Sequence, residues 1–350
     1  MLIKETPEDF VVEEVLDLKL KNKGDYIYFI LEKKNWTTLK AIECIANQLK
    51  IPVKRFSFAG QKDRAGITRQ YVSAERVSLE KLNQINLKDI KIEFAGYSDW
   101  PISLGSLKGN NFKIVVRNLD RPLQKVDFIV NYYDEQRFGG YRPNLHLVGK
   151  NYLLGKYEEA VKLFLLYPFE NETKDYVKAR KRQEKEWGKW HVDRYPKYLI
   201  NERKVIGYLA KNPGNYGNAF KVLPKQLFDM IPQAYQSYIW NESLAQYLRE
   251  KFEYREVEYS IGKLVFVNRF VDLDWPIIGC DSKLKGDEKR IIEMLMKKEG
   301  VWYDNFNKSL NRKAMVKVEN FKLGLFNKQI QEVSFFLPKG AYATMVIKSL

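Results

Sequence analysis

Cysteine and histidine are scarce. Cys44, Cys280, His146 and His191 are all that 350 residues contain. Neither cysteine sits in a Cys-x-x-Cys pair, which argues against a disulfide framework. A structural zinc site takes about four N or S ligands, and these four residues have no ligand spacing. No structural zinc is expected, and the histidines read as ordinary surface or core residues. The chain has no P-loop and no glycine cluster following a strand in the dinucleotide-binding arrangement. If it is an enzyme, it is expected to work without metal, nucleotide or redox cofactor. No apolar stretch approaches the ~18 residues of a membrane span. Glu5, Glu8 and Asp9 make the N-terminus unlike a signal or transit peptide.

Acidic residues are also in deficit, 44 against 60 Lys and Arg, for a net charge of +16. Such an excess predicts attraction to a polyanion, nucleic acid or an anionic membrane. With no membrane segment in the sequence, nucleic acid is the better partner and the cytoplasm the better location. Aromatics make up 14% of residues, with 22 Tyr and 7 Trp. Many belong in a core, but unpaired RNA bases also stack on such rings. A chain of this length predicts about two domains.

Residues 1–140 read as mixed α/β. Tyr26 to Glu32 suits a buried strand. Thr37 or Thr38 can cap a helix carrying Ile42, Ile45, Ala46 and Leu49 at helical spacing. Gln70 to Arg76 and Phe112 to Arg117 read as strands, the latter with Phe112, Ile114 and Val116 on one face. Residues 141–311 are helix-rich. Helices are expected over Tyr152 to Leu166, Lys174 to Lys189 and Asp287 to Lys298, with another starting at Pro232, where first-turn proline is tolerated. Val257 to Phe270 reads as a strand pair turning at Gly262-Lys263. Residues 312–350 return to strand texture at Gln331 to Leu337, followed by a short helix from Ala341. The simplest arrangement pairs this last strand with the N-terminal sheet and makes 141–311 an insertion.

The most informative stretch runs from Phe58 through Ala59-Gly60-Gln61-Lys62-Asp63-Arg64-Ala65-Gly66 to Gln70. It sets one carboxylate, Asp63, between two cations that favour its ionised form. The nearby glycines allow close approach of a substrate. A solvated turn is the bland alternative, and such turns are common.

This stretch resembles the catalytic Asp motif of the TruD family of pseudouridine synthases. Other segments resemble the family in the same order: Lys4 with Pro7 to Glu13, Leu104 to Phe112, Asn131 to Gly139, Gln236-Ser237-Tyr238 with Asn241, and Leu337 to Thr344. Tyr195 to Pro224 is more similar to the archaeal and eukaryotic branch. The resemblance implies an α+β fold: a pseudouridine synthase core of permuted order, with a mixed, mainly antiparallel sheet, flanking helices and an inserted helical domain. It also implies tRNA as partner, a monomer, and as target a D-arm uridine at position thirteen, with some members also modifying an anticodon-loop uridine, position thirty-five.

On that reading Asp63 is the catalytic residue, acting as nucleophile at the sugar or as base at the 2′ carbon. Lys4 is a candidate partner of Asp63 or of a phosphate. Phe10 is a candidate wall of the base pocket, and Lys62 a candidate substrate contact. Asn131 is expected to orient Asp63 or a base edge, Tyr133 to stack on uracil, and Arg137 to bind phosphate or Asp134. Each has an ordinary structural alternative in packing, turn formation or solvation. Gln70 and Thr68 are expected to shape the loop. The helix Lys174 to Lys189 is a candidate phosphate clamp. Two departures stand out. Tyr133 and Asp134 replace Phe and Gly of the family's asparagine–aromatic motif, and Gly66 stands where alanine is usual. They leave open an RNA-binding or chaperone-like protein of the same fold without catalysis.

Overall fold

Short apolar runs read with a period of two decide the sheet. In the stretch Tyr26–Lys34 the side chains of Ile27, Phe29 and Leu31 are buried on one face, as a period of two requires. A computed structural model of the chain describes residues 1–169 and 172–350. Along the chain the elements are β1 (Phe10–Val15), β2 (Tyr26–Lys34), α1 (Thr38–Leu49), β3 (Phe56–Phe58), β4 (Ile67–Glu75), α2 (Leu79–Asn83), β5 (Ile90–Ser98), β6 (Gly109–Val116) and β7 (Phe128–Val130). Then come α3 (Leu145–Leu153), α4 (Tyr157–Leu166), α5 (Lys174–Lys185), α6 (Ile200–Lys211), α7 (Lys225–Lys251), β8 (Tyr254–Tyr259), β9 (Gly262–Val267), β10 (Asp274–Ile277), α8 (Gly286–Glu299) and β11 (Leu310–Lys313). The chain ends with β12 (Met315–Lys317), β13 (Glu319–Leu323), β14 (Gln331–Pro338) and α9 (Ala343–Ser349).

Two compact units form, Met1–Ile129 with Val316–Leu350, and Val130–Met315. The first holds an eight-stranded sheet ordered β13-β14-β6-β1-β4-β2-β5, with β3 added against β4. Within that order β1 and β4 run parallel, and the other registered pairs are antiparallel. The C-terminal strand does join the N-terminal sheet, with Phe335 opposite Phe112. On one face α1 contributes Ala41, Ile42, Ile45 and Ala46 to a core with Ile27, Phe29, Leu31 and Val72. Thr37 caps this helix by accepting from the Lys40 N–H, which leaves Thr38 for another task.

The second unit is built on the 27-residue helix α7. Tyr235 and Ile239 pack with Ile278, Ile292, Met296 and Phe306. The start assigned to Pro232 needs correction, because the helix begins at Lys225 and Pro232 lies inside it. Pro224, just before it, takes the N-cap position instead. With no N–H, Pro232 leaves the Phe228 carbonyl without its helical donor. Gly149 of α3 approaches this point so closely that a Cβ would lie 2.3 Å from the Ile231 carbonyl oxygen. The single helix expected over Tyr152 to Leu166 is two, α3 and α4, separated at Leu154–Lys156. The hairpin turn falls at Ser260-Ile261, one residue pair before Gly262-Lys263.

The compact units divide at 129/130 and 315/316. Asn131 and Tyr133 are tied within the second. The Asn131 N–H donates to the Ala314 carbonyl, and Tyr133 exchanges two hydrogen bonds with Asn241 of α7.

Candidate active site

Asp63 sits on the loop between β3 and β4, and that loop is fastened along its length. The Gly60 carbonyl accepts from Gln70 Nε2 at 2.9 Å. The Lys62 N–H donates to Thr38 Oγ1 at 3.0 Å, and that hydroxyl donates to Gln70 Oε1 at 2.7 Å. The Asp63 carbonyl accepts from Lys33 Nζ at 2.8 Å. The Gly66 carbonyl accepts from the Asn35 N–H at 3.2 Å. Thus β2, α1 and β4 hold four successive points of one short loop. Gln70 has the shaping role expected of it. Thr68 is buried, and among the described residues its hydroxyl has no hydrogen-bond partner.

The carboxylate is partly exposed, at 29%, and Oδ2 lies 2.9 Å from Lys4 Nζ. The same ammonium stands 3.9 Å from the centre of the Phe10 ring, within reach of a cation–π attraction. Phe10 is itself buried at the start of β1. Lys4 takes a left-handed backbone, φ 62°, a conformation that costs about 1–2 kcal/mol for an L-residue. Its segment is anchored on both sides. Leu2 exchanges backbone bonds with Arg117, and Arg117 grips Asp9 through Nε at 3.0 Å and Nη2 at 2.8 Å. The Arg117 hydrogen bond keeps the Asp9 carboxyl below its usual range despite burial. Lys4, Phe10 and Asp63 are all singled out by the sequence, and the fold brings these three together.

Lys62 has a different neighbour. Its ammonium lies 2.5 Å from Glu14 Oε1, and both side chains are almost wholly buried. The other Glu14 oxygen accepts from the Tyr71 N–H at 3.1 Å. Lys4 is thus a cation in contact with Asp63, while the Lys62 ammonium ties the loop to β1. Arg64 is exposed.

Gly66 closes the loop with φ +134°. A Cβ there would lie 2.4 Å from the Phe10 carbonyl oxygen. The glycine is required by this backbone, whatever residue is usual in relatives.

The remaining candidates belong to the second unit. Asn131 is buried with its amide engaged: Nδ2 donates to the Lys313 carbonyl at 3.0 Å, and Oδ1 accepts from Arg312 Nη2 at 2.8 Å. Arg312 also donates to the Asn131 carbonyl and lies 4.2 Å from the centre of the Tyr133 ring. Tyr133 packs edge-on against Trp240. Arg137 directs Nε to Ser237 Oγ at 2.9 Å and Nη2 to Gln233 Oε1 at 3.1 Å. Asp134 is buried, and its carbonyl accepts from the Arg137 N–H. The Gln236-Ser237-Tyr238 and Asn241 motif thus has a local purpose: Ser237 and Asn241 hold the 131–137 segment against α7.

Two residues that fasten the Asp63 loop, Lys33 and Glu14, escaped the sequence reading, as did Arg312 in the second unit. The first two carried a signal. Lys33 continues the inward phase of Ile27, Phe29 and Leu31, and Glu14 that of Phe10 and Val12. A charge at such a phase must find a partner. Arg312 gave none, because its partners lie some 180 residues away in sequence.

In α5, Tyr176, Ala179 and Gln183 face inward, while Lys178, Lys181 and Lys185 are exposed on the other side. Arg180 is committed to Glu172. Among the described residues no helix is long and apolar enough to cross a membrane.

The chain matches the family model described as tRNA pseudouridine synthase D (TruD) over residues 1–269 and 267–350. It is 32% identical to tRNA pseudouridine synthase D of Aquifex aeolicus, over 99% of this chain and 97% of that one. It is 33% identical to the "Probable tRNA pseudouridine synthase D" of Archaeoglobus fulgidus, over 99% and 93%. It is similar in structure to the crystal structure of the "Putative tRNA pseudouridine synthase D (TruD)" from Methanosarcina mazei. The TM-score is 0.73 at 26% identity, covering 99% of this chain and 92% of that one.

Proposed function

The chain belongs to the TruD family, and we propose that it isomerises a uridine of tRNA to pseudouridine with Asp63 as its catalytic carboxylate. The observation that carries this reading is the setting of Asp63: a partly exposed carboxylate on a loop fastened at four points, met by the Lys4 ammonium at 2.9 Å. A fixed charge of this kind stabilises charge that develops in a transition state without first having to reorganise.

The reaction breaks the bond between N1 of uracil and C1′ of ribose, turns the base, and joins C5 to C1′. The C5 proton is lost and N1 gains one, so the product is an isomer and no redox partner enters. Asp63 acts as nucleophile at C1′ or as base at C2′, and both routes need the carboxylate placed at the sugar. Lys4 holds it there and offers a charge to a neighbouring phosphate when RNA arrives. Phe10 supplies an apolar wall. Lys62 serves through the loop it fixes. On the second unit, Asn131 serves by holding Arg312. Tyr133 is buried against Trp240 and Arg312, and Arg137 is taken up by Ser237 and Gln233, so these two are assigned to shaping the 131–137 segment rather than to stacking on uracil or binding phosphate.

Reaching a stacked uridine requires flipping it, at a cost of a few kcal/mol. The net charge of +16 helps offset that cost through phosphate contacts. The target is assigned to the D-arm uridine at position thirteen, with the anticodon-loop uridine at position thirty-five as the second choice. We place the protein in the cytoplasm, where tRNA is the partner, working without cofactor and as a monomer.

The test is incubation of the protein with unmodified tRNA transcripts, with chelator present and no cofactor added. Pseudouridine is then mapped by carbodiimide-based sequencing. The proposal predicts product at one of the two named uridines. Salt-sensitive tRNA binding with no product on any transcript would favour an RNA-binding protein without catalysis.

A further inference from the structure

Lys33 is a fully buried cation on an otherwise apolar strand face. Its relative exposure is 0%, and the same face of β2 carries Ile27, Phe29 and Leu31. A leucine or methionine here would continue the core without the cost of burying an ammonium, which is several kcal/mol for an ion in a protein interior. The residues opposite it offer no compensating charge, being Thr68 on β4 and Ile90 on β5. On its own strand Glu32 pairs with Arg69 and Lys34 with Glu8, both at the opposite phase. Glu14 on β1 is taken by Lys62.

What Lys33 does meet is backbone. Nζ donates to the Trp36 carbonyl at 2.6 Å and to the carbonyl of Asp63 itself at 2.8 Å. One ammonium thereby ties the turn that leads into α1 to the main chain of the candidate catalytic residue. Lys4 grips the same residue by its side chain. Burial is the largest influence on the Lys33 ammonium and lowers its pKa to about 8, with Asp63 acting to raise it and Lys62 to lower it further. The charge is thus least stable where Asp63 is absent or neutral.

We propose that Lys33 is a positioning residue for the reaction, fixing the main chain of Asp63 while Lys4 fixes its carboxylate. The inference rests on the synthase reading given above. Its burial means that Lys33 acts through Asp63 and not on RNA. The expected signature is a change in turnover without a change in tRNA affinity.

The experiment compares wild type with Lys33→Met at saturating tRNA, measuring kcat, KM and the thermal melt. The expected result is a folded variant whose kcat falls at least about tenfold, with KM within about twofold. A kcat within twofold of wild type, or a loss confined to KM, would overturn the proposal. If Lys33→Met does not fold, the wild-type profile of kcat between about pH 7 and 9 decides. The proposal predicts an alkaline limb near pH 8 that persists in Lys4→Met, since Lys4 is then excluded as its source. A flat profile overturns it. Absence of product from wild type would instead sink the synthase reading, so the two failures are distinguishable.

Discussion

Lys4 reaches Asp63 from a left-handed backbone: its φ is 62° and its Nζ lies 2.9 Å from Asp63 Oδ2. The strained residue is held between the Leu2–Arg117 bridge and the Asp9–Arg117 pair. Strain that the surroundings over-determine is a common device where a side chain must be aimed. Lys4→Met keeps the packing over Phe10 but removes the charge beside Asp63. We expect kcat to fall roughly a hundredfold to a thousandfold, the range of an electrostatic contact in a preorganised site. A kinetic comparison on one transcript, with the melt as control, measures this.

Gly66→Ala tests the loop itself. The new Cβ would meet the Phe10 carbonyl oxygen at 2.4 Å, and φ +134° is unfavourable for any L-residue with a side chain. The expected cost is about 1–3 kcal/mol of stability, read from urea unfolding. Activity falls further than stability alone explains, because the clash displaces Phe10 and Asp63 together. An alanine tolerated without loss would show that this loop conformation is not the working one.

The outward face of α5 is expected to touch tRNA phosphates. Lys178, Lys181 and Lys185 are exposed there, and among the described residues none of the three has an ion-pair partner. Replacing all three with Gln should raise KM and leave kcat unchanged. It should also flatten the slope of log affinity against log salt by about two to three, near one for each phosphate that is no longer neutralised. An unchanged slope would identify the face as simply solvated.

His146 predicts a pH effect on stability. It is buried against Tyr238 and Phe138, and burial lowers its pKa from 6.5 to about 4. Between those values the unfolded chain binds the proton and the folded chain does not, so stability falls as pH drops from 6.5 toward 4. The loss by pH 4 is of order 3 kcal/mol. His146→Phe should flatten that part of the curve, as urea titrations at several pH values would reveal.

Much of this architecture was legible from local pattern. The strands Tyr26–Lys34 and Gln331–Pro338 announce themselves as short apolar runs, and Thr37 by its place before an amphipathic helix. Pro232 misled because proline marks a helix start only on average, and the tertiary packing of α7 overrides it. The Asp63–Lys4 pair joins residues 59 apart, and only the family resemblance pointed to it. The Lys62–Glu14 pair illustrates a different limit. Adjacency in sequence suggested that Lys62 would attend Asp63, but neighbours on an extended loop point apart, and a buried acid on β1 claims it. Arg312 was invisible for the same reason on a larger scale.

The most direct test of the account is Asp63→Asn, nearly isosteric but unable to serve as base or nucleophile. The assay is pseudouridine formation on an unmodified tRNA transcript, run beside a binding measurement on the same RNA. The account predicts no detectable pseudouridine, tRNA affinity within a few-fold of wild type, and an unchanged fold. Product at the wild-type rate from the Asn variant would contradict it and remove Asp63 from the chemistry.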